Sequence, residues 1–402
     1  MKNPCQLPAR LVILLITMFL ATPLTASATF LGNSARSADA ALDRALRRLV
    51  AMPGGPPAAI AIVQRDKSLA VHAFGVSKIG IQRKPRKEDY MRIASIAKAF
   101  SGAAALALVD TGVLALNDTI GEWLPEFPAD WSTVTLRQLL NHTSGLPDFT
   151  ENEAFRIEVM KSPLVAPPPP ALLEFVANEP PNFRPGTRYR YSNSDNIAVG
   201  LMIEAATGMR YRDVLKERVA KPLRLGRTSL PEGAELPNPF IHGYDFEDNG
   251  APEDVSEIFA AGWAWASGGI VSTPADLNRF IRGYVRGTLF NRRIRAAQRT
   301  WVPGGGSEPP GPGRNAAGLG LFRYQTRCGT VFGHTGNTFG YTQFAAATSD
   351  GRRSVTVSMS LQRTQKSRGR EFAVFKALRV AETRAVCAAL VRENPFGRRH
   401  RN

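Results

Sequence analysis

Strand-like segments occur near both ends of this chain and helical signals fill most of the middle, which constrains the fold more than any other feature. Because a sheet must cover its apolar faces, we expect one antiparallel sheet built from both chain ends. Helices predicted at 38–52 and at about 370–391 would pack on this sheet. The strand-like segments are 58–63, 69–74, 269–272, 318–324, 330–333, 343–348 and 354–361.

The predicted fold class is α+β, an antiparallel sheet flanked by N- and C-terminal helices with an inserted all-α lobe. We place the α/β part at about 29–90 and 251–392 and the helical lobe at about 91–250, within one domain at 29–392. The 402-residue chain is 44% hydrophobic and 21% charged, which excludes collagen-like and disordered proteins. A basic tail, 393–402, follows the domain.

The N-terminus has the pattern of a secretory signal peptide. Lys2 and Arg10 precede an apolar run, and small residues at 26–28 supply a cleavage point before Thr29. A membrane anchor is disfavoured, because the run is shorter than the ~20 apolar residues that a span requires. We predict cleavage of residues 1–28 and an exported protein, periplasmic or secreted, with no stable membrane span afterwards.

The net charge of the chain indicates which classes of binding partner to expect. The formal net charge is +17, which fits nucleic acid, an anionic membrane surface or an anionic polymer. Export removes the usual nucleic-acid partner, and the sequence has no basic motif interleaved with aromatic residues. An anionic cell-envelope polymer is therefore the expected neighbour, and no nucleic acid is expected.

The positions of the cysteines and histidines indicate whether the chain forms a disulfide or a metal site. Cys5 lies in the predicted signal, whereas Cys328 and Cys387 lie in the mature chain. In an oxidising compartment this pair predicts one disulfide, with two buried free thiols as the alternative. The five histidines are scattered and form no Cys/His cluster with metal-site spacing, so we expect no metal and no other cofactor.

Three short motifs carry the candidate chemistry. Ser95 and Lys98 form an S-x-x-K motif at the start of a predicted helix, where residues three apart share one face. A lysine with a lowered pKa can there activate a serine hydroxyl. Tyr191 and Asn193 form a Y-x-N motif, and an H-T-G motif at 334–336 ends an apolar strand. Taken singly, each has a simpler explanation: a chance match, a loop tyrosine and a satisfied strand-end histidine.

The order and spacing of the three motifs resemble the penicillin-recognising serine hydrolases. This superfamily contains serine D-alanyl-D-alanine peptidases, class C β-lactamases and related esterases. The resemblance runs from Ala58 to Ala389 and includes the segments 139–146, 185–186 and 263–269. It is strongest to soluble secreted D-alanyl-D-alanine carboxypeptidases of actinomycete type, which have a cysteine before the H-T-G strand and another in the last helix. The resemblance therefore implies a disulfide between Cys328 and Cys387.

The resemblance also implies a role for each motif residue. Ser95 would attack the substrate carbonyl and form an acyl-enzyme, Lys98 would accept the serine proton, and Tyr191 would relay a proton to the departing amine. The backbone N–H groups of Ser95 and Asn337 would form the oxyanion hole. The substrate-binding residues implied by the resemblance are Asn193, Trp263, His334, Thr335, Gly336 and Asn337.

Two positions depart from the carboxypeptidase pattern. That family has a threonine after H-T-G, where this chain has Asn337, and an arginine where this chain has Phe322. Arg323 is adjacent, but neighbouring strand residues point to opposite faces. Both departures weaken recognition of a free C-terminal carboxylate.

The resemblance thus implies an exported serine hydrolase, a D-alanyl-D-alanine carboxypeptidase or transpeptidase on cell-wall peptides. Two alternatives use the same fold and residues: a β-lactamase, and an esterase or D-amino-acid amidase. A non-catalytic peptidoglycan-binding relative is a more distant one. The expected substrate is a peptide, an ester or a β-lactam.

Overall fold

The computed structural model describes residues 25–246 and 250–391, with side chains from residue 34. The predicted signal peptide lies mostly outside the described residues, and the basic tail lies entirely outside them. The described helices are α1 (Thr25–Ala51), α2 (Ala97–Asp110), α3 (Ile120–Trp123), α4 (Leu136–Leu140), α5 (Glu153–Lys161), α6 (Pro169–Glu174), α7 (Asn193–Thr207), α8 (Tyr211–Leu215), α9 (Lys221–Leu223), α10 (Trp265–Gly268), α11 (Pro274–Arg286), α12 (Arg292–Gln298) and α13 (Gly369–Leu390).

The strands lie mostly in the last third of the chain. They are β1 (Ala58–Arg65), β2 (Ser68–Gly75), β3 (Met91–Arg92), β4 (Tyr244–Phe246), β5 (Pro252–Asp254), β6 (Val271–Ser272), β7 (Val302–Pro303), β8 (Arg314–Gly318), β9 (Leu321–Thr326), β10 (Gly329–Thr338), β11 (Tyr341–Ala347) and β12 (Arg353–Met359).

Eight strands form one antiparallel sheet in the order β2-β1-β12-β11-β10-β9-β8-β7. The two chain ends meet where β1 pairs with β12, with Ala59 opposite Met359 and Arg65 opposite Arg353. The prediction of one sheet built from both ends is therefore confirmed. The order also places β10, which carries the H-T-G motif, in the middle of the sheet between β9 and β11.

Two predicted strands differ from the structure. The segment predicted at 318–324 is a hairpin, because the chain turns between β8 and β9 at Gly320, whose φ is +60°. The segment predicted at 269–272 is reduced to β6, which pairs with β3 outside the main sheet. Its first residue, Gly269, instead closes α10 through a hydrogen bond from its N–H to the Trp265 carbonyl. In addition, α1 begins at Thr25, well before the predicted start at residue 38.

The sheet is covered on both faces. On one face, α1 and α13 pack together, and Leu42 and Leu378 join an apolar cluster with strand residues such as Phe344. Alternate residues of β1 point to opposite sides, so Ala59 faces this cluster and Ile60 faces away from it. The other face packs against α11, and the larger apolar cluster there continues into the helices of the middle segment.

Cys328 and Cys387 are joined by a disulfide, with their Cα atoms 5.1 Å apart. The bond fastens the β9–β10 turn to α13. We expect the double variant Cys328→Ser/Cys387→Ser to lose about 4 kcal/mol of unfolding free energy, because its unfolded chain is no longer cross-linked. Urea unfolding of both proteins without reductant measures the difference. Equal unfolding free energies would contradict the prediction.

Within 25–246 and 250–391, no helix is long and apolar enough to cross a membrane. The same ranges contain no group of three or more His, Cys, Asp or Glu side chains arranged to hold a metal ion.

Candidate active site

Ser95 lies in a single 3₁₀ turn, Ala94–Ile96, that leads directly into α2. The preceding residue, Ala94, has φ +50°, a conformation that residues other than glycine rarely adopt and that is often found at functional sites. Strand β10 runs close behind this turn. A Cβ atom at Gly336 would lie 2.3 Å from the Ile93 carbonyl oxygen, so only glycine allows the strand to approach so closely.

Lys98 lies one helical turn after Ser95, and its amine is held in place by three contacts. Its Nζ donates to the Ser95 Oγ at 3.2 Å, to the Asn193 Oδ1 at 2.7 Å and to the Ser267 carbonyl at 2.8 Å. Burial lowers the pKa of Lys98 to about 7, although nearby carboxylates, Asp148 foremost, partly oppose the shift. Near neutral pH a large fraction of this amine is therefore uncharged and can accept a proton from Ser95.

Tyr191 packs over Lys98, whose Nζ lies 5.0 Å from the centre of the tyrosine ring. Its side chain is only 8% exposed, and burial raises the pKa of Tyr191 well above its ordinary value. The phenol therefore keeps its proton at neutral pH. Among the described residues its hydroxyl has no hydrogen-bond partner, although the Ser95 side chain is near enough to offset part of the pKa rise.

Asn193 is the first residue of α7 and is oriented by Asp148. The backbone N–H and the side-chain Nδ2 of Asn193 both donate to Asp148 Oδ2 at 2.9 Å. Its Nδ2 also lies 3.2 Å from Thr150 Oγ1, which leaves Oδ1 to accept from Lys98. Asp148 was not predicted from the sequence. The only available signal was its position two residues after the segment 139–146.

His142, within that segment, supports Tyr191 from behind. The two ring centres are 4.5 Å apart, and His142 Nδ1 lies 2.8 Å from the buried Asp195 carboxyl group. Burial lowers the pKa of His142 to about 3 and raises the pKa of Asp195 well above its usual range. The His142 ring is therefore uncharged at neutral pH, and Ser144 donates a 2.5 Å hydrogen bond to the Asp195 carboxyl group.

His334 is fully buried rather than exposed to the cavity. Its Nδ1 donates to the Thr335 carbonyl at 2.5 Å, and its ring packs 4.9 Å from that of Phe322. Burial lowers the pKa of His334 to about 3, so the ring is neutral. The Thr335 hydroxyl donates to the Pro309 carbonyl at 2.6 Å.

The neighbours of the H-T-G strand carry no positive charge into the site. Phe322 is buried between His334 and the ring of His142. Arg323 lies on the other side of β9, where its guanidinium stacks over Trp301 at 5.2 Å. The sequence-based expectation about the direction of Arg323 agrees with this arrangement.

A cavity of about 360 Å³ opens in front of Ser95. Five of the predicted residues line it: Ser95, Tyr191, Asn193, Trp263 and Asn337. The other predicted residues, Lys98, His334, Thr335 and Gly336, lie behind its wall. The larger apolar side chains of its wall are Phe149, Phe155, Val159, Phe259, Trp263 and Phe339.

Two charged side chains line the cavity that the sequence did not single out, Glu308 and Lys366. Neither makes an ion pair or a side-chain hydrogen bond among the described residues. A reacting carbonyl placed here would meet a serine hydroxyl, an amine that can take its proton and a phenol that can supply one. Such a set performs acyl transfer through a covalent intermediate.

Comparison with known proteins agrees with this geometry. The profile of the Beta-lactamase family matches residues 42–379. Penicillin-binding protein 4* of Bacillus subtilis strain 168 is 28% identical over 227 residues, covering 52% of this chain and 48% of that protein. Protein flp of Staphylococcus aureus strain MW2 is 27% identical over 232 residues, covering 56% of this chain and 45% of that protein. The chain thus spans about half the length of the curated relatives it matches.

Solved structures match over more of the chain. A D-stereospecific amidohydrolase from Streptomyces sp. is 30% identical with a TM-score of 0.72, covering 80% of this chain and 94% of that one. The D-amino acid amidase from Ochrobactrum anthropi SV3, in complex with L-phenylalanine amide, has a TM-score of 0.74 at 22% identity. The match covers 88% of this chain and 98% of that one. This second likeness concerns the fold alone. The family match, the sheet and the geometry around Ser95 together establish that the chain belongs to the beta-lactamase family of penicillin-recognising serine hydrolases.

Proposed function

We propose that the protein is a serine amidohydrolase that cleaves amide or ester bonds without requiring a free carboxylate on the leaving group. Ser95 Oγ attacks the substrate carbonyl while Lys98 takes its proton. Tyr191 passes a proton to the departing amine or alcohol, leaving an acyl group on Ser95. Water then releases the acid by the reverse proton path. The backbone N–H groups of Ser95 and Asn337 are assigned to the oxyanion.

The observation that carries this proposal is the hydrogen bond from Thr335 to the Pro309 carbonyl. In a carboxypeptidase this threonine would help to hold the terminal carboxylate of the substrate, but here its hydroxyl is engaged with the protein. The neutral His334 and the buried Phe322 supply no cation beside it. A free carboxylate would therefore lose its hydration without gaining a charged partner there.

The acyl side of the substrate is proposed from similarity. The Streptomyces amidohydrolase is described as D-stereospecific, and the Ochrobactrum structure is that of a D-amino acid amidase. We therefore propose a D-amino acid residue on the carbonyl side of the cleaved bond. The aromatic wall of the cavity, which includes Phe155 and Trp263, suits a large apolar side chain.

A D-alanyl-D-alanine carboxypeptidase is the second candidate, and one observation favours it. Lys366 lines the cavity and is exposed, so its ammonium is available to a carboxylate at the mouth of the site. An exposed lysine is a weaker anchor than a buried arginine, because water and salt screen it.

A substrate panel tests the proposal against its rivals. We expect turnover of D-phenylalanine amide and of a p-nitrophenyl ester, with kcat/KM for D-phenylalanine amide at least about tenfold above that for L-phenylalanine amide. Release of D-alanine from an acyl-D-Ala-D-Ala peptide as the dominant activity would support the carboxypeptidase. Fast nitrocefin turnover would support a β-lactamase, and no reaction with any of the substrates would support a binding-only relative.

We also propose that the protein acts outside the cytoplasm, beside anionic envelope polymers. The support is the signal-like sequence at 1–28, the disulfide and the net charge of +17. Cell fractionation with an antibody against the protein tests it, and a cytoplasmic pool of full-length protein would contradict it.

A further inference from the structure

Glu308 is the only acidic side chain among the residues that line the described cavity. It is exposed to the cavity and makes no hydrogen bond or ion pair within the described residues. The protein as a whole is strongly basic, with a net charge of +17. An unpaired carboxylate in the cavity that Ser95 also lines therefore runs against the general charge of the molecule and could bind a group of opposite charge.

The backbone on both sides of Glu308 is held by hydrogen bonds from side chains of other segments. Tyr189 donates its hydroxyl to the Gly306 carbonyl at 2.6 Å, and Thr335 donates to the Pro309 carbonyl at 2.6 Å. Arg379 donates to the Pro310 carbonyl from α13.

Ser307, directly before Glu308, contributes two further contacts. Its hydroxyl bonds to the Pro309 carbonyl at 3.2 Å and lies 3.0 Å from the Tyr324 hydroxyl. The backbone that carries Glu308 is thus fixed, while its carboxylate stays available to a ligand.

Thr335 connects this loop with the position that binds the substrate carboxylate in the carboxypeptidase pattern. Thr335 would hold a substrate carboxylate in the carboxypeptidase pattern, yet it holds the loop that presents Glu308. This hydrogen bond thus occupies the threonine hydroxyl and also helps to hold the loop that carries the negative charge.

The electrostatics around Glu308 favour an incoming cation. The cavity walls desolvate its carboxylate, and the neighbouring carboxylates of Asp148 and Glu151 add to the rise of the Glu308 pKa, while Lys366 and Lys98 oppose it. A carboxylate in such surroundings is stabilised by a cation that enters the site. Lys366 is exposed and lies beyond ion-pair distance of Glu308, so it does not already fill that role.

We propose that Glu308 binds the free α-ammonium group of the substrate, so that the enzyme acts on amides and esters of unacylated amino acids or on amino-terminal residues. This inference rests on the proposed function for the identity of the cleaved bond. It narrows the substrate class, because an N-acylated cell-wall peptide has no ammonium group at this position.

Binding of a ligand that cannot be cleaved separates this inference from the proposed function. D-phenylalaninol carries the ammonium group and the aromatic side chain but has no scissile bond. Its N-acetyl derivative keeps the side chain and lacks the charge. Isothermal titration calorimetry at pH 7 measures both ligands with the wild-type protein, with Glu308→Gln and with Glu126→Gln. Glu126 is an exposed acid outside the cavity, so its variant controls for the change in net charge.

We expect the wild-type protein and Glu126→Gln to bind the amine at least about tenfold more tightly than its N-acetyl derivative, and Glu308→Gln to lose that preference. Glu308→Asp, which keeps the negative charge, should retain part of the preference for the amine. No preference in the wild-type protein, or an unchanged preference in Glu308→Gln, would overturn the inference. Selective amine binding without turnover of D-phenylalanine amide would leave the inference standing and remove the proposed amidohydrolase activity.

Discussion

Replacing Ser95 with alanine will lower kcat/KM for every substrate by roughly 10⁴-fold or more and will remove covalent labelling by an active-site phosphonate. The loss follows because, among the described residues, Ser95 Oγ is the hydroxyl that is hydrogen-bonded to the Lys98 amine, at 3.2 Å. The fold should persist, since Lys98 keeps its bonds to Asn193 and to the Ser267 carbonyl.

Intact-protein mass spectrometry after incubation with the phosphonate measures the labelling directly. Ser229→Ala, which removes an exposed serine hydroxyl elsewhere, serves as the matched control and should label like the wild-type protein. Circular dichroism checks that Ser95→Ala is folded. A phosphonate adduct that persists in folded Ser95→Ala would show that another residue is the nucleophile.

The rate of acylation will rise with pH and reach half of its maximum near pH 7. Burial lowers the pKa of Lys98 to about 7, so below this pH the amine is protonated and cannot accept the serine proton. Above this pH the amine of Lys98 is unprotonated, and kcat/KM reaches a plateau. The rise of kcat/KM with pH cannot come from Tyr191, because its raised pKa keeps the phenol protonated over this pH range.

A pH profile of kcat/KM with p-nitrophenyl acetate tests this assignment, since that substrate does not titrate in the range and the parameter reports the free enzyme. Lys98→Arg keeps a positive charge but cannot release its proton near neutral pH, and we expect a loss of about 10²- to 10⁴-fold. A flat profile between pH 5 and 9, or a folded Lys98→Arg with wild-type activity, would contradict the role of Lys98.

Much of the fold could be predicted because its signals are local. Alternation and turn residues located β1, β2, β11 and β12, and the placement of strands at both ends of the chain implied one sheet. The prediction failed at 318–324, where a contact with a distant segment determines the structure. At 318–324 a turn at Gly320 divides the segment, and a Cβ atom there would lie 2.9 Å from the Gly102 Cα of α2, so tertiary packing selects the hairpin.

The site was predictable where spacing along one helix creates it. Ser95 and Lys98 come together through α2 and the turn before it, and the motif order added Tyr191 and Asn193. Asp148 and Glu308 carry no such signal, because only the folded chain brings them to the cavity. Asp148 reaches Asn193 across 45 residues, and the position of Glu308 depends on contacts from Tyr189, β10 and α13.

The sequence left two interpretations of His334 open, a substrate-binding residue and a satisfied strand-end histidine. An H-T-G motif suggests a histidine that faces the substrate, yet the ring is 0% exposed and its pKa is lowered by burial to about 3. The cause is its packing against Phe322, which comes from the neighbouring strand β9. Sequence motifs therefore located the strand, while packing decided what the histidine can do.

The most direct test of the account compares two substrates that differ only in the leaving group, D-phenylalanyl-D-alanine and D-phenylalanyl-D-alanine amide. Because the H-T-G region supplies no cation and Thr335 is bonded to Pro309, the ratio of kcat/KM for the amide to that for the free acid should be one or greater. A preference of about tenfold or more for the free carboxylate, the size of one charge-assisted hydrogen bond, would contradict the account and favour a carboxypeptidase.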